Sequence, residues 1–211
     1  MTTTQKDILH TSTMPAIALP GPTIFPNVLI HFDVARDISI KSLETAMTTG
    51  SPVFLVAQKD ISVEVPDQRD LYVVGTISNV RQILRMPGDN VRVMVEGQAR
   101  GKLLRLLRTE PYLEGEILEL PEEERTGTSA RTEALMRSTY ELFQRYTELA
   151  PKVSPDLLIH VLASQDPGYI SDYIAQNIPM RNSDKQTILE DLRPVHRLEK
   201  RLTVKYGRSG L

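Results

Sequence analysis

Cysteine is absent from this sequence of 211 residues, so neither a disulfide framework nor a thiolate metal site can form. The absence fits a reducing compartment. The first residues show no basic segment followed by an apolar stretch, the pattern typical of a signal peptide. No apolar run approaches the roughly 20 residues that a membrane-spanning helix needs. We therefore expect a soluble, cytoplasmic protein that has no membrane partner.

An excess of positive charge is also lacking, because 25 basic side chains stand against 27 acidic ones and the net charge is −2. Proteins that bind duplex nucleic acid through its phosphates usually carry a basic excess, so we expect no nucleic-acid partner. One local run is nevertheless basic and then acidic: Arg81, Arg85, Arg92, Arg100, Lys102, Arg105 and Arg108, then Glu110, Glu114, Glu116 and Glu119. It could form a surface for RNA or an acidic partner. The favoured interpretation is that neighbouring antiparallel strands pair these charges, which would cancel their field.

Catalytic and metal-binding patterns are missing as well. The four histidines, His10, His31, His160 and His196, have no metal-ligand spacing. The segment Gly97–Lys102 is one residue short of a phosphate-binding loop, and Leu103 replaces the hydroxyl residue that would bind Mg²⁺. No G-x-S-x-G motif occurs. We therefore predict no catalytic residue, no metal site and no cofactor in this chain.

The first half of the chain has the texture of β structure. We assign residues 1–14 to a disordered polar tail and residues 15–121 to a β-rich subdomain. Val91, Val93 and Val95 alternate as in a strand, and a turn over residues 86–90 predicts a hairpin with the strand before it. The apolar run 53–57 predicts a strand that is buried on both faces. One helix is expected, with Ile40, Leu43 and Met47 facing inward, Asp37 or Ser39 as N-cap, and Gly50 after its end.

The second half has helical periodicity. We assign residues 122–129 to a linker and residues 130–205 to a small bundle of four helices. The first helix carries a stripe of Leu135, Leu142, Phe143, Tyr146 and Leu149. Ser154-Pro155-Asp156, Asp166-Pro167 and the capping-box sequence Ser183–Gln186 predict the starts of the other three.

Several segments resemble, in the same order, the N-terminal domain of the ATP-dependent protease Lon. They are Leu19-Pro20 with Phe25-Pro26-Asn27, Ala35–Ile40, Leu55–Asp60, Val74–Ile77, Val93–Arg100, Asp166-Pro167, Ile178-Pro179 and Asp184–Gln186. The resemblance implies an α+β fold, in which a PUA-like, partly closed β-barrel is followed by a small α-helical bundle. It also implies a role in capturing unfolded or tagged polypeptide substrates and in ordering a homo-hexamer for protein quality control. ATP, Mg²⁺ and the serine–lysine protease site would belong to domains that this sequence does not contain.

The resemblance directs attention to two sets of residues. Arg36, Asp37 and Lys41, at the start of the first helix, match positions that the family presents to partners, so we predict contact roles for them. The second set is structural: Pro20, Phe25, Pro26, Gly75, Glu96, Gly97 and Arg100. Of these, Pro20, Pro26 and Gly75 are expected to set turns or bulges, Gly75 because glycine tolerates positive φ. Glu96, Gly97 and Arg100 are expected to shape a strand exit, or else to form a buried or half-buried ion pair.

The sequence departs from the family near its end. Pro194 falls within what should be a continuous helix after Ser183, and proline there would kink or end that helix. Residues 205–211 do not continue as a long helix. We therefore expect either a truncated domain with a foreign tail or a free-standing relative. The alternative hypothesis, which rests on the implied fold and on the basic run Arg81–Arg108, is a free-standing PUA-like module that binds RNA or a small ligand.

Overall fold

The computed structural model describes residues 10–88, 90–122, 129–149 and 155–206, with no side-chain description for residue 155 or for residues 201–206. The chain divides into two compact units. The first contains Met1–Pro22 and Leu29–Leu120, and the second contains Thr23–Val28 and Pro121–Leu211. Most of the predicted linker, residues 123–128, lies outside the described residues.

Six strands form one mixed sheet in the first unit: β1 (Thr11–Leu19), β2 (Leu29–Val34), β3 (Val53–Ala57), β4 (Val74–Arg85), β5 (Val91–Arg108) and β6 (Leu113–Leu120). Their order is β2-β5-β4-β3-β1-β6, and β6 also pairs with β5. Only β1 and β3 run parallel. The 18-residue β5 is long enough to pair with β2 near its start and with β6 near its end. The sheet is thus partly closed but is not a regular barrel, and the predicted fold class is confirmed.

The polar stretch Thr11–Met14 is strand, so its assignment to a disordered tail is wrong. These four residues begin β1 and pair with Leu118–Gly115 of β6. The pairing gives this stretch backbone hydrogen bonds on one side, and Met14 adds a buried side chain to the core. A polar composition therefore does not indicate disorder where a partner strand is available.

The core of the first unit lies inside the sheet, and β3 is buried along its whole length, as predicted. Phe54, Leu71, Leu103 and Ile117 belong to one apolar cluster there. The predicted hairpin joins β4 to β5, and its turn is closed by a hydrogen bond of 3.0 Å from Met86 N–H to the carbonyl oxygen of Asn90.

Helix α1 (Asp37–Thr49) follows β2 and ends at Gly50, whose φ of 65° confirms the predicted left-handed C-terminal residue. The predicted N-caps Asp37 and Ser39 are wrong, because the helix is preceded by Arg36 and has no side-chain cap bond. The predicted inward face is wrong in part: Leu43 is buried, but Met47 is 47% exposed. Small residues take the inner positions instead, and the Ser42 hydroxyl donates to the carbonyl oxygen of Ala16 over 2.8 Å.

The second unit contains five helices within its described residues, one more than predicted: α2 (Ala130–Leu149), α3 (Pro155–Ala163), α4 (Pro167–Asn177), α5 (Asn182–Leu189) and α6 (Pro194–Tyr206). Pro194 does not kink a continuous helix. It is the first residue of α6, where a missing N–H costs nothing. The predicted start at Asp166-Pro167 is confirmed, because the Asp166 carboxylate accepts from Gly168 N–H and Tyr169 N–H over 2.8 and 3.0 Å.

Two details of the predicted bundle are wrong. Helix α5 is preceded by Arg181 and lacks a side-chain cap bond, so Ser183 does not open a capping box. On α2, Met136, Thr139 and Phe143 form the buried face. Leu149, assigned to the inner stripe, is 84% exposed.

The short segment Thr23–Val28 belongs to the second unit rather than to the barrel in which it was predicted. Phe25 is completely buried, and its backbone N–H donates to the Gln176 side-chain oxygen over 3.1 Å. Proximity in sequence to β1 and β2 therefore does not decide which unit this segment joins.

Candidate functional site

A groove of about 880 Å³ lies beside the start of α1 in the first unit. Three further segments complete it: one residue of β1, the loop that precedes the 3-10 turn Gln68–Asp70, and the connection between β5 and β6. Its lining is Ala18, residues 36–39, Lys41, residues 64–67, residues 109–111 and Leu113. Val65 on the loop is 82% exposed. The groove therefore offers an open apolar surface between charged margins.

The three predicted contact residues all line this groove, and all three are already engaged in contacts within the protein. Arg36 is half-buried, and its guanidinium donates to the Gln58 side-chain oxygen and, over 3.1 Å, to the Val63 carbonyl oxygen. Lys41 forms an ion pair of 2.7 Å with Asp37, one helical turn earlier. This pair raises the pKa of Lys41 above its ordinary value, first through the hydrogen bond to Asp37. Whether the three bind a partner stays a prediction.

The loop over residues 59–66 is anchored by Gln58, which sequence patterns did not identify. Gln58 is only 3% exposed, and its amide nitrogen donates to the carbonyl oxygens of Asp60 and Val63 over 3.2 and 2.9 Å. Arg36 reaches the same Val63 oxygen. A buried glutamine has no sequence signature, although Gln58 lies within one of the segments that carry the family resemblance.

The far end of the loop is fixed to β5 by the side chain of Gln68, which forms the two hydrogen bonds that a neighbouring strand would form. The Gln68 amide donates to the Leu104 carbonyl oxygen over 3.2 Å and accepts from Leu106 N–H over 2.9 Å. Asp67 caps the 3-10 turn by accepting from Arg69 N–H over 2.7 Å. Hydrogen bonds from the side chain and backbone of Arg69 hold the pKa of Asp67 below its usual range. This wall of the groove is therefore built in advance of any ligand.

A second hollow, of about 570 Å³, lies along α1 and shares Asp37 and Lys41 with the groove. Glu44 of the helix and Arg85 of β4 also line it, and they form an ion pair of 2.7 Å. This hollow is mostly polar, and its charged groups already satisfy one another. The groove is the better candidate for binding an apolar partner.

The structural residues predicted from the resemblance are correctly placed only in part. Pro20 lies in a bend and Pro26 in a turn, as expected. Gly75 lies in regular β4 and lacks the predicted positive φ. Glycine is required there because a β-carbon would lie 2.4 Å from the Leu55 carbonyl oxygen and 2.7 Å from Phe54 Cζ. The prediction of a turn or bulge at Gly75 is therefore wrong.

Glu96, Gly97 and Arg100 lie inside β5, so the predicted strand exit is also wrong. A bulge does occur there, because Ile77 pairs with Ala99 while Ser78 pairs with Gly97. Glu96 forms an ion pair with Arg81 on the neighbouring strand. Arg100 is only 1% exposed and so cannot belong to a basic surface.

The other arginines of the basic run pair with acids across neighbouring elements. Their partners lie on adjacent strands or on α1: Arg81–Glu96, Arg85–Glu44, Arg92–Asp33, Arg105–Glu116 and Arg108–Glu114. The hydrogen bond from Arg92 lowers the pKa of Asp33. These pairs support charge pairing across the sheet over a surface for RNA.

The second unit contains a charged cluster around three buried residues, Arg197, Asp172 and Asp191. Arg197 is fully buried and lies 3.2 Å from Asp172 and 2.6 Å from Glu122. Asp191 receives hydrogen bonds from Arg193, His196 and Lys200. Burial alone would raise the pKa of Asp191, but these three bonds outweigh burial and hold it far below its ordinary value.

Within the described ranges, no group of three acidic or histidine side chains is placed to hold a metal ion. None of the helices in the same ranges is long and apolar enough to cross a membrane.

Comparison with known proteins assigns the fold and the two units to one family. The family described as "ATP-dependent protease La (LON) substrate-binding domain" matches residues 13–204. Lon protease of Clostridium acetobutylicum is 39% identical over 191 residues, and Lon protease 1 of Bacillus subtilis is 33% identical over 187. These matches cover 90% and 89% of this chain but 24% of each relative.

Solved structures agree with these matches in fold. The N-terminal domain of Mycobacterium avium complex Lon protease superimposes with a TM-score of 0.74 at 17% identity, over 95% of this chain and 100% of that one. A Lon N-terminal domain protein from Xanthomonas campestris gives a TM-score of 0.64 at 14% identity, over 91% and 98%. The chain spans about a quarter of the length of the Lon proteases that it matches. The chain belongs to the family of Lon protease substrate-binding domains.

Proposed function

We propose that this chain captures unfolded or tagged polypeptides for an ATP-dependent Lon protease, and that the groove beside α1 is a surface on which it does so. The supporting observation is the exposed apolar Val65 in a wall that hydrogen bonds fix in place. A preformed wall costs little ordering entropy when a ligand binds. Client capture needs no cofactor in this chain; ATP and Mg²⁺ act elsewhere in the protease.

Fluorescence anisotropy with a labelled protein, unfolded and folded, tests the proposal. We expect the unfolded form to bind more tightly. Val65→Ser should weaken its binding about threefold to tenfold, because one aliphatic side chain contributes roughly 1 kcal/mol when covered. Leu29→Ser is the matched control, because Leu29 is also apolar and 61% exposed but lies outside the groove. Equal, negligible binding of both forms, or equal effects of the two variants, would contradict the proposal.

The domain also helps to order a homo-hexamer of a cytoplasmic protease in protein quality control, as a second part of the proposal. An antibody against residues 15–200 should detect a native protein several times larger than 23.8 kDa. A band at the size of this chain would instead favour a free-standing module. Structured RNA should not be retarded even at low salt, because the strand arginines are already paired.

A further inference from the structure

The groove has an uneven balance of charge. Its lining includes two basic and four acidic side chains, so its formal charge is −2: Arg36, Lys41, Asp37, Glu64, Asp67 and Glu110. The chain as a whole has the same net charge spread over 211 residues. Negative charge is therefore concentrated at this surface.

Contacts within the protein occupy both cations. Arg36 directs its guanidinium to Gln58 and to the Val63 carbonyl oxygen, where it supports the loop. Lys41 is paired with Asp37. A ligand that needed either cation would have to break these contacts, so the groove is poorly suited to an acidic partner.

Two of the four acids have ion-pair partners within the protein. Asp37 pairs with Lys41, and Asp67 pairs with Arg69 at 2.7 Å. Glu64 and Glu110 are exposed, come from separate segments of the lining, and form no ion pair with any residue in the part of the chain that the structure describes. Glu110 lies near enough to contribute to the raised pKa of Lys41, after the larger effect of Asp37. Glu64 and Glu110 thus remain available to a cation brought by a ligand.

We propose that this groove selects apolar polypeptide segments that carry lysine or arginine beside the apolar residues. The inference rests on the proposed function and adds to it the chemical class of the client segment. The exposed Val65 and the half-buried Ile38 provide the apolar surface above the buried Ala18 and Leu113, and Glu64 and Glu110 are placed to contact the flanking charge. Because both carboxylates are exposed, the preference is modest and weakens with salt.

Three labelled peptides with the same apolar core test this inference, with lysine, serine or glutamate on both sides of the core. Binding to the 211-residue chain is measured by anisotropy at about 0.05 and 0.5 M salt. We expect the lysine peptide to bind about twofold to fivefold more tightly than the serine peptide, and the glutamate peptide to bind more weakly than either. The difference should shrink at the higher salt concentration.

The double variant Glu64→Gln, Glu110→Gln should abolish most of the difference in affinity between the lysine peptide and the serine peptide. Glu119→Gln is the matched control, since Glu119 is an exposed glutamate of the same unit outside the groove. Equal binding of all three peptides would overturn the charge preference and leave the proposed function standing. An unchanged preference in the double variant would place the selective charges elsewhere. Binding of none of the peptides would overturn both proposals.

Discussion

Replacing Gln58 with leucine should loosen the wall of the groove more than its small change in size suggests. The Gln58 side chain accepts from a charged donor, Arg36, and donates to two carbonyl oxygens. Leucine has a similar volume, so no cavity forms, but these buried and half-buried groups lose their partner. The backbone N–H of residue 58 still donates to the Leu19 carbonyl oxygen, so the strand itself is retained.

The magnitude follows from the three lost hydrogen bonds. A bond to a charged donor contributes about 1.5–3 kcal/mol and a neutral one about 1 kcal/mol, while water can reach the half-buried Arg36 and recover part of the loss. We expect the free energy of unfolding to fall by about 2–4 kcal/mol. For a chain of this size the corresponding decrease in Tm is roughly 4–16 °C.

Urea denaturation and hydrogen exchange measure the two consequences separately. Gln98→Leu is the control, because Gln98 is exposed and its amide makes one weak contact of 3.4 Å, so that its effect should stay within about 0.5 kcal/mol. The substitution Gln58→Leu should increase the exchange rate of the amides over residues 60–63 more than that of the amides of β3. Equal destabilisation by both variants, or unchanged exchange in the loop, would refute the anchoring role of Gln58.

Three further predictions concern single residues. Gly75→Ala should lower the free energy of unfolding by about 2–4 kcal/mol in urea denaturation, because its new methyl group meets a backbone oxygen. Gly50→Ala has open space and only a strained φ, so it should cost about 1 kcal/mol, and equal costs would contradict the crowding at Gly75. Asp166→Ala should destabilise α4 by roughly 1 kcal/mol, measured by thermal unfolding, and a change below 0.3 kcal/mol would show that its cap bonds are dispensable. The pKa of Asp191 is depressed in the folded chain, so its stabilisation is present above the unfolded pKa of about 4 and is lost as the pH falls below it. Asp191→Asn should therefore reduce stability by about 1–3 kcal/mol at pH 7 and make acid unfolding shallower below pH 4, whereas an unchanged acid profile would exclude this residue as a contributor.

Elements with a strong local signal were predictable from the sequence. Alternating valines predicted the start of β5, and the glycine at position 50 predicted the end of α1 because few other residues adopt a positive φ. Asp166-Pro167 predicted the start of α4, where an acceptor side chain and a fixed φ act within three residues. Each of these signals is complete within one turn or one strand, so distant contacts did not alter the outcome.

Helix starts at α1 and α5 were mispredicted because a polar residue near a helix start can occupy the first turn as readily as the cap. Both helices are preceded by arginine and have no side-chain cap bond. Gly75 was correctly singled out but for the wrong reason. Its requirement comes from Phe54 and Leu55 on the neighbouring strand, about 20 residues away in sequence. Crowding of this kind is visible only after the strands are paired.

The groove was the least predictable feature, because its lining spans residues 18 to 113 and no segment contributes more than a few side chains. The resemblance drew attention to Arg36, Asp37 and Lys41 at the start of the first helix, two of which are cations. The fold commits both cations to contacts within the chain and leaves Glu64 and Glu110 without ion-pair partners among the described residues. The charge available to a partner is therefore negative, although two of the three predicted contact residues are cations. Three-dimensional pairing, rather than composition, decides which charges a binding surface can use.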